Sequence, residues 1–509
     1  MRIWAPNLRC GKAEKIVQLL NRFRPELSPY EDVYKRIHQN PELSRQELQT
    51  SRIASDHLRA LNFSVHEGIG GYGVVGVLDN GPGRTILLRA ELDALPVLEK
   101  TGLPYASRKL MVDTDGKEKP VMHACGHDMH IVALMGAAAL LHAAKEHWQG
   151  RLLILFQPDE ERGGGARAMV DGGLYGLEGV PKPDFVLAQH IVNNKVGTLQ
   201  IGSGYSLAGK RTFRITIPGR GGHVGSPQDC IDPVITACHT VVRLQTIVSR
   251  EINPNDTAIV TCGSIRAGDT PNVIPDNAEL TVDVRAYSPE VLSKAVHAVK
   301  RIVKAECDAS GAEAEPEIRE IEHVPPLIND LRAVSPVEEQ FKAFFGEHSV
   351  EAMKPDMASD DFSILAPVGV PYAYWTLGST DPRVWDGFEK DGRLHELPGN
   401  HSPLFSPVIE PTLKHGIEAL ETLGGKNEGQ PNVGVSVEVL GDDEAKVLDG
   451  AGVKRVGEPE EDLYYHSSQR TFLVQLIFPN ISPVPPFACR FMSSHRTSEH
   501  ILAAQLAFH

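Results

Sequence analysis

Apolar residues recur along the chain first with a helical period and then with a strand period. A helix is predicted from residue 28 to about residue 37, because four apolar side chains share one face: Tyr30, Val33, Tyr34 and Ile37. Ser28 and Glu31 have the spacing of a capping box at its start. A second helix is predicted at about 46–61, and strands at 74–78, 85–89, 151–156 and 184–188. Strands that alternate with helices predict an α/β sheet covered on both faces.

The order of elements changes near Lys210. An alternating strand at 211–217 precedes a helix at about 231–249, two strands at 257–265 and 279–285, and a helix that opens at Ser288 and reaches about residue 307. This order predicts a small α+β domain inserted into the α/β domain. The predicted boundaries are 25–209 and 326–424 for the two parts of the α/β domain, 210–325 for the insertion, and 425–509 for a poorly ordered tail.

Composition and charge exclude several classes of protein. The 509 residues carry 51 basic and 66 acidic side chains, a net charge of −15, which disfavours a nucleic-acid-binding protein. No stretch of 18 apolar residues predicts a membrane span. Seven irregularly spaced cysteines favour a reducing, cytoplasmic location. Residues 1–24 contain six basic residues but no apolar core, which argues against a secretory signal; a mitochondrial presequence is the less favoured alternative, because Ser and Thr are absent there.

One short stretch, residues 123–130, concentrates metal-binding side chains where a loop enters a predicted helix. It contains His123, Cys125, His127, Asp128 and His130. Thiolate and neutral imidazole are ligands of Zn²⁺-class metals. A Cys-x-His pair alone is also typical of a buried cluster whose side chains are hydrogen-bonded within the protein. Other parts of the chain must therefore distinguish a metal site from such a cluster.

Five further residues lie near the ends of predicted elements. Glu160 and Glu161 follow the 151–156 strand, where one carboxylate can bind metal while its neighbour acts as general base. The alternative is a solvated acidic loop at a helix N-terminus. Asp93 follows the 85–89 strand and could hold a ligating imidazole or simply form a turn. His190 and His401 are lone histidines, a type that is more often structural or exposed than catalytic.

Together these motifs resemble the M20 metallopeptidase family, most closely its amidohydrolase branch of aminoacylases, hippurate hydrolases and plant auxin-conjugate hydrolases. The resembling segments keep the family's order between Pro25 and Leu423; they are 38–44, 89–96, 123–130, 156–166, 221–223, 272–276, 359–363 and 401–403. Glu91 departs from the pattern, since the branch often has Asp there. The charged insert at 110–120 also departs, and it would change the rim of the site. The segment after Leu423 matches no motif of the family.

The resemblance implies a metal-binding catalytic domain and an α+β lid that pairs two subunits into a homodimer. It implies metal ligation by Cys125, His127, Glu161, His190 and His401. Glu160 would be the general base, and Asp93 would orient a ligating histidine. His223 would stabilise the oxyanion, in its own subunit or across the dimer, while Asn272 and Arg285 would bind substrate.

The expected function is therefore hydrolysis of N-acyl or N-aroyl amino acids with one or two divalent ions. Mixed sulfur, nitrogen and oxygen ligands suit Zn²⁺, and Mn²⁺, Co²⁺ and Ni²⁺ are alternatives. A dipeptidase or carboxypeptidase of the same architecture is the second expectation, and a non-catalytic binding protein with this fold is the third. Asp128 and His130 are expected to support the ligands or the helix entry, and the role of His123 stays open.

Overall fold

A computed structural model describes residue 19 and residues 21–421. The expectations for the N-terminal segment 1–18 and for the tail 425–509 lie outside the described residues. In the described part, no helix is both long enough and apolar enough to cross a membrane.

The helices and strands follow one another in the order that the apolar periods predict, with additional short strands between them. The helices are α1 (Ser28–Gln39), α2 (Leu48–Ala60), α3 (His127–Ala143), α4 (Gly165–Asp171), α5 (Pro233–Thr246), α6 (Pro289–Ala309), α7 (Leu331–Phe345), α8 (Pro382–Lys390) and α9 (Ile409–Glu421). The first nine strands are β1 (Ser64–Ile69), β2 (Gly73–Asn80), β3 (Thr85–Glu91), β4 (Leu110–Val112), β5 (Glu118–Pro120), β6 (Gly150–Gln157), β7 (Phe185–Lys195), β8 (Leu199–Ile201) and β9 (Gly204–Leu207). The others are β10 (Gly209–Pro218), β11 (Gly222–His223), β12 (Ala258–Arg266), β13 (Val273–Ile274), β14 (Asn277–Ala286), β15 (Glu317–Val324), β16 (Leu327–Asn329), β17 (Val350–Ala352) and β18 (Tyr372–Thr380).

An eight-stranded sheet forms the centre of the larger unit, with the strand order β1-β2-β6-β3-β7-β18-β8-β17. Its middle strands β6, β3, β7 and β18 are parallel. The chain passes from β3 to β6 on one side and then to β7 on the other side of β3. Such a reversal leaves a crevice at the carboxyl ends of the strands, which is where ligands bind in open α/β sheets.

Apolar side chains cover both faces of this sheet. Leu88 and Ile154 belong to a core that includes the buried helix α3, whereas Leu87 and Leu153 belong to a second core that includes Met169 of α4. Helix α3 is apolar almost all round and packs against α1, α9 and β3. The predicted α/β class is therefore confirmed.

A separate antiparallel sheet has the strand order β12-β14-β10-β15 and is covered on one face by α5 and α6. Alternate residues of β14 are buried in this second core, from Ala278 to Ala286, and the residues between them face the other side. The sheet runs from Gly209 in β10 to Val324 in β15. The assignment of this unit as a lid and dimerisation domain stays a prediction.

One detail of the predicted elements is wrong. Helix α1 begins at Ser28 itself, with Leu27 before it, and no side chain caps its N-terminus. Ser28 therefore lies inside the helix, one position too late for the capping box predicted with Glu31.

Candidate active site

The carboxyl ends of the parallel strands bring the predicted site residues together. Asp93 follows β3 by two residues, the pair Glu160–Glu161 follows β6, and His190 lies within β7. Cys125 and His127 enter the same region at the start of α3. Gly126 between them has φ +83°, which favours glycine, and a Cβ there would force the Ile191 side chain to shift.

The candidate metal ligands face one another. Ligand atoms of Cys125, His127 and Glu161 all lie within 4.8 Å of one another. The sulfur of Cys125 lies 3.4 Å from Nε2 of His190. Nε2 of His401 lies 3.3 Å from Oε2 of Glu161. All five predicted ligands thus meet, although His401 comes from a loop far along the chain.

The polar atoms of this group fit a metal ion. Nε2 of His127 and Oε1 of Glu161 are buried and have no hydrogen-bond partner in the described part of the chain. Leaving such atoms unpaired is costly, and a divalent cation would satisfy both. Burial, reinforced by the carboxylates of Glu161 and Glu160, raises the pKa of the Cys125 thiol well above its usual value. A cation is therefore needed to hold the thiolate form there.

Asp93 orients His127. Nδ1 of His127 lies 2.9 Å from the backbone oxygen of Asp93 and 3.4 Å from its Oδ1. These oxygens accept a hydrogen bond from a protonated Nδ1, so Nε2 is the nitrogen left for a metal. Burial alone would lower the pKa of His127, but the hydrogen bond with Asp93 and the charge of Glu91 raise it to about 10.

Glu160 is almost fully buried beside a network that the sequence did not reveal. The buried guanidinium of Arg89 donates to Glu91 and, at 2.8 Å, to Oδ1 of Asp360. Burial and the charges of Asp360 and Glu161 raise the pKa of Glu160 well above its usual value, and Arg89 opposes this. Two cations balance the acidic run 159–161: Arg89 acts on the charge of Glu160, and Arg45 pairs with Asp159 at 2.7 Å. An arginine inside an apolar strand was the signal that could have identified Arg89.

The other members of the 123–130 cluster have protein partners or remain unpaired. Oδ2 of Asp128 lies 2.6 Å from Nδ1 of His38. Nδ1 of His130 lies 2.8 Å from Oε2 of Glu91, and its Nε2 accepts the backbone N–H of Ile191 at 2.8 Å. His130 therefore has no free nitrogen for a metal, although it lies close to His127 and His190. His123 is buried, and neither ring nitrogen has a partner among the described residues.

A cleft of about 530 Å³ opens onto these groups. Its walls include Glu160, Glu161, His190 and His401 from the larger unit, and Lys210, Arg285 and Val324 from the four-stranded unit. Arg285 donates from Nε to Asp283 at 2.8 Å and from Nη1 to the backbone oxygen of Met357 at 2.7 Å. It therefore links the two units at the wall of the cleft.

His223 and Asn272 lie away from this cleft. Both are exposed: His223 faces Val273 in the small β11–β13 ladder, and Asn272 immediately precedes β13. Lys210 pairs with Arg285 at one end of β10, and Pro218 pairs with Asn277 at the other end. Eight residue steps of an extended strand span about 27 Å. Because both segments leave the sheet at the Pro218–Asn277 end, they lie far from Arg285 in the same chain.

Comparisons with known proteins identify the family of this chain. Residues 87–390 match the family described as Peptidase family M20/M25/M40. Hippurate hydrolase of Campylobacter jejuni is 37% identical over 66% of this chain and 84% of that protein. Thermostable carboxypeptidase 2 of Saccharolobus solfataricus is 33% identical over 79% of this chain and 96% of that protein.

A similar solved structure is a putative aminohydrolase from methicillin-resistant Staphylococcus aureus. Its TM-score is 0.67 at 28% identity, over 81% of this chain and 98% of that chain. The resemblance drawn from the sequence motifs is confirmed. Because the family match covers more than half of its residues, this chain belongs to peptidase family M20/M25/M40 and is a metal-dependent hydrolase of amide bonds.

Proposed function

We propose that this protein hydrolyses the amide bond of N-acyl or N-aroyl amino acids. The observation that carries the proposal is the cleft itself: a buried carboxylate, Glu160, lies beside a set of metal-type ligands, and Arg285 faces the same space. A carboxylate next to a metal site is the arrangement for metal-assisted hydrolysis, and a guanidinium suits the carboxylate of an amino acid. The similarity to hippurate hydrolase supports an acylated amino acid as substrate.

The ligands are proposed to be Cys125, His127, Glu161, His190 and His401. They would hold one or two divalent ions, with Zn²⁺ favoured by the thiolate and imidazole donors and Mn²⁺, Co²⁺ or Ni²⁺ as alternatives. When bound, such an ion polarises a carbonyl and lowers the pKa of water. Asp93 keeps the His127 imidazole in the tautomer that presents Nε2.

Glu160 is proposed as the general base. It takes a proton from water as the water oxygen attacks the carbonyl carbon, and it then delivers that proton to the nitrogen as the C–N bond breaks. Its burial removes competing bulk water and, with the charge of Asp360, raises the pKa of the carboxyl, which suits a group that must hold a proton between its two transfers; the nearby Arg89 acts in the opposite direction. The products are a free carboxylate and an amine.

Arg285 is proposed to bind the substrate carboxylate, since Nε and Nη1 already have protein acceptors that fix the plane of its guanidinium. His223 and Asn272 are proposed to act in the cleft of a second copy, His223 on the oxyanion and Asn272 on the substrate. Their distance from Arg285 along the four-stranded sheet supports this assignment. It makes the functional protein a homodimer, with the 210–325 segment as lid and dimerisation domain.

A substrate panel tests the proposal. N-acetyl amino acids, N-benzoylglycine and unblocked dipeptides would be assayed after loading with Zn²⁺, Mn²⁺, Co²⁺ or Ni²⁺ in turn. The expected result is a higher kcat/KM for acylated amino acids than for dipeptides. A preference for dipeptides would support the second function, a dipeptidase or carboxypeptidase, which the similarity to thermostable carboxypeptidase 2 favours. Failure to bind any of the four metals would contradict both.

A further inference from the structure

The loop between α1 and α2, residues 40–47, contacts two segments of the site. None of its residues is among those that line the cleft. Its motif was part of the family resemblance, but no chemistry was assigned to it. Three of its side chains reach the site segments: Ser44, Arg45 and Glu47.

Ser44 fixes the orientation of Asp93. The hydroxyl of buried Ser44 donates to Oδ2 of Asp93 at 2.7 Å. The same oxygen accepts the backbone N–H of Glu161 at 3.0 Å. With Oδ2 held in this way, Oδ1 is turned towards Nδ1 of His127. Ser44 therefore acts on both a candidate histidine ligand and the turn that carries the glutamate pair.

Glu47 holds the other end of that turn. Its side chain is fully buried, and its Oε1 accepts the backbone N–H groups of Arg45 at 2.8 Å and Asp159 at 2.9 Å. Arg45 and Asp159 both have positive φ, 69° and 52°, a backbone conformation that is strained for a residue other than glycine. Asp159 immediately precedes Glu160, and its carbonyl accepts the N–H groups of Gly164 and Gly165. One carboxylate oxygen thus stabilises the backbone conformation from which Glu160 projects.

Glu47 is not needed to cap the helix that it precedes. Its side chain makes no cap hydrogen bond with α2. Instead, Oε2 of Glu42 accepts the backbone N–H groups of Gln49 and Thr50 in the first turn, at 2.8 and 2.9 Å. Glu42 and Glu47 are both buried in the same loop, but one serves the helix and the other serves the Glu160 turn. Glu42 is therefore a matched control for substitutions of Glu47.

We propose that Ser44 and Glu47 are positioning residues of the hydrolytic reaction, which set the places of Glu160 and Glu161 through Asp93 and Asp159. The inference rests on the proposed function for its kinetic consequences only. Burial and the charge of Asp93 raise the pKa of Glu47 to about 8, so a neutral side chain of the same shape is a close substitute. Arg45 contributes less to the position of the Glu160 turn, because its side chain is about half exposed and solvent screens its ion pair with Asp159.

The test compares Glu47→Ala, Glu47→Gln and Glu42→Ala in the full-length, metal-loaded enzyme. Glu47→Ala should lower kcat about 10–100-fold, as outer-shell partners of metal sites do, with KM nearly unchanged. Glu47→Gln should retain kcat within about threefold, because its amide oxygen can accept the same two N–H groups. Glu42→Ala should lower the melting temperature by loss of the cap but leave kcat near wild type.

Two readouts do not depend on the substrate. Amide hydrogen exchange in residues 158–166 should rise about tenfold or more in Glu47→Ala, and should stay near wild type in Glu47→Gln and Glu42→Ala. Ser44→Ala should weaken Zn²⁺ binding about 10–100-fold in competition with a chelator, since Asp93 is then free to turn away from His127. If the wild type failed to hydrolyse acylated amino acids, these two results would still decide the structural claim.

Three outcomes would overturn the inference. One is equal loss of kcat in Glu47→Ala and Glu47→Gln. Another is a loss of kcat in Glu42→Ala as large as that in Glu47→Ala, which would assign the effect to general destabilisation. The third is unchanged hydrogen exchange at 158–166 in Glu47→Ala.

Discussion

At the residue scale, both ring nitrogens of His130 have fixed partners inside the protein. Nδ1 faces Oε2 of Glu91, and Nε2 accepts the N–H of Ile191, the residue after His190. The ring centroids of His130 and His190 are 4.5 Å apart. His130 therefore holds strand β7 where a candidate ligand projects, and we expect it to act on the candidate metal site through His190.

His130→Ala should destabilise the protein and weaken metal binding together. The change leaves the N–H of Ile191 and a carboxylate oxygen of Glu91 buried without partners, which costs about 3 kcal/mol or more. Zn²⁺ affinity should fall about 10–100-fold because His190 loses its support. Urea unfolding of the metal-free protein and chelator competition measure the two effects. His142→Ala, in the last turn of the same helix, is the control, and loss of stability with unchanged affinity would make His130 purely structural.

Glu160→Gln should separate catalysis from metal binding. The amide has the shape of the carboxylate but cannot take a proton, so kcat should fall about 10²–10⁴-fold. Metal content after loading should equal that of the wild type, because Glu160 is not among the proposed ligands. Glu317→Gln, on an exposed position of β15, is the control for removal of one negative charge. Wild-type turnover by Glu160→Gln would contradict its assignment as the base.

The sequence could identify the candidate chemical groups of the site and, through the family resemblance, Asp93, but not the more distant groups that hold them. Cys125, His127 and the glutamate pair were each ambiguous alone and became informative as an ordered set of motifs. Glu47 and Asp159 are 112 residues apart, and Arg89 and Asp360 are 271 apart. No local pattern links such partners, because only the strand order of the sheet brings them together.

At the element scale, the first helix is joined to the helix of the site by one buried ion pair. His38, in the last turn of α1, faces Asp128, in the first turn of α3, and its Nε2 lies 3.2 Å from Glu99. The apolar period predicted α1 as far as residue 37 and so left His38 just outside it. The β4–β5 hairpin within the charged insert was not predicted at all, since Leu110 and Val112 are exposed and their alternation marks no core.

The His38 pair predicts a pH-dependent stability. Burial alone would lower the pKa of His38, but hydrogen bonds to Asp128 and Glu99 raise it from 6.5 to about 10. The rings of Tyr34 and Tyr105 also face His38, and His123 lies close enough to interact with its charge. Because the folded state binds the proton more tightly, this stabilisation is complete below pH 6.5 and is lost as pH rises towards 10.

Thermal unfolding of the metal-free protein measures this effect. The difference in melting temperature between wild type and His38→Gln should be largest near pH 6.5 and should shrink as pH approaches 10. His66→Gln, on strand β1, is the control for removal of an imidazole elsewhere. A difference that does not change with pH would contradict the raised pKa.

At the scale of the whole molecule, two sheets contribute to one cleft, but only one end of the four-stranded sheet reaches it. Lys210 and Arg285 lie at that end, and the segments with His223 and Asn272 leave from the other end. Sequence could assign all four residues to one inserted unit. It could not predict that they lie at opposite ends of the sheet, because their separation depends on the antiparallel register of β10 and β14. That register is the physical reason to expect His223 to act on a partner subunit.

Mixed dimers decide between action within one subunit and action across the dimer. A dimer of one His223→Ala subunit and one Glu160→Gln subunit, isolated with two affinity tags, has one complete cleft only if His223 acts across the interface. It should then recover about half of wild-type activity, since a twofold dimer has two equivalent sites. The reciprocal dimer pairs a wild-type subunit with a subunit carrying both substitutions. It should be almost inactive if His223 acts across the interface and about half active if His223 acts within its own subunit. The two dimers must therefore respond in opposite directions. Recovery in the reciprocal dimer would place His223 in its own cleft and would require the four-stranded unit to move substantially against the larger sheet.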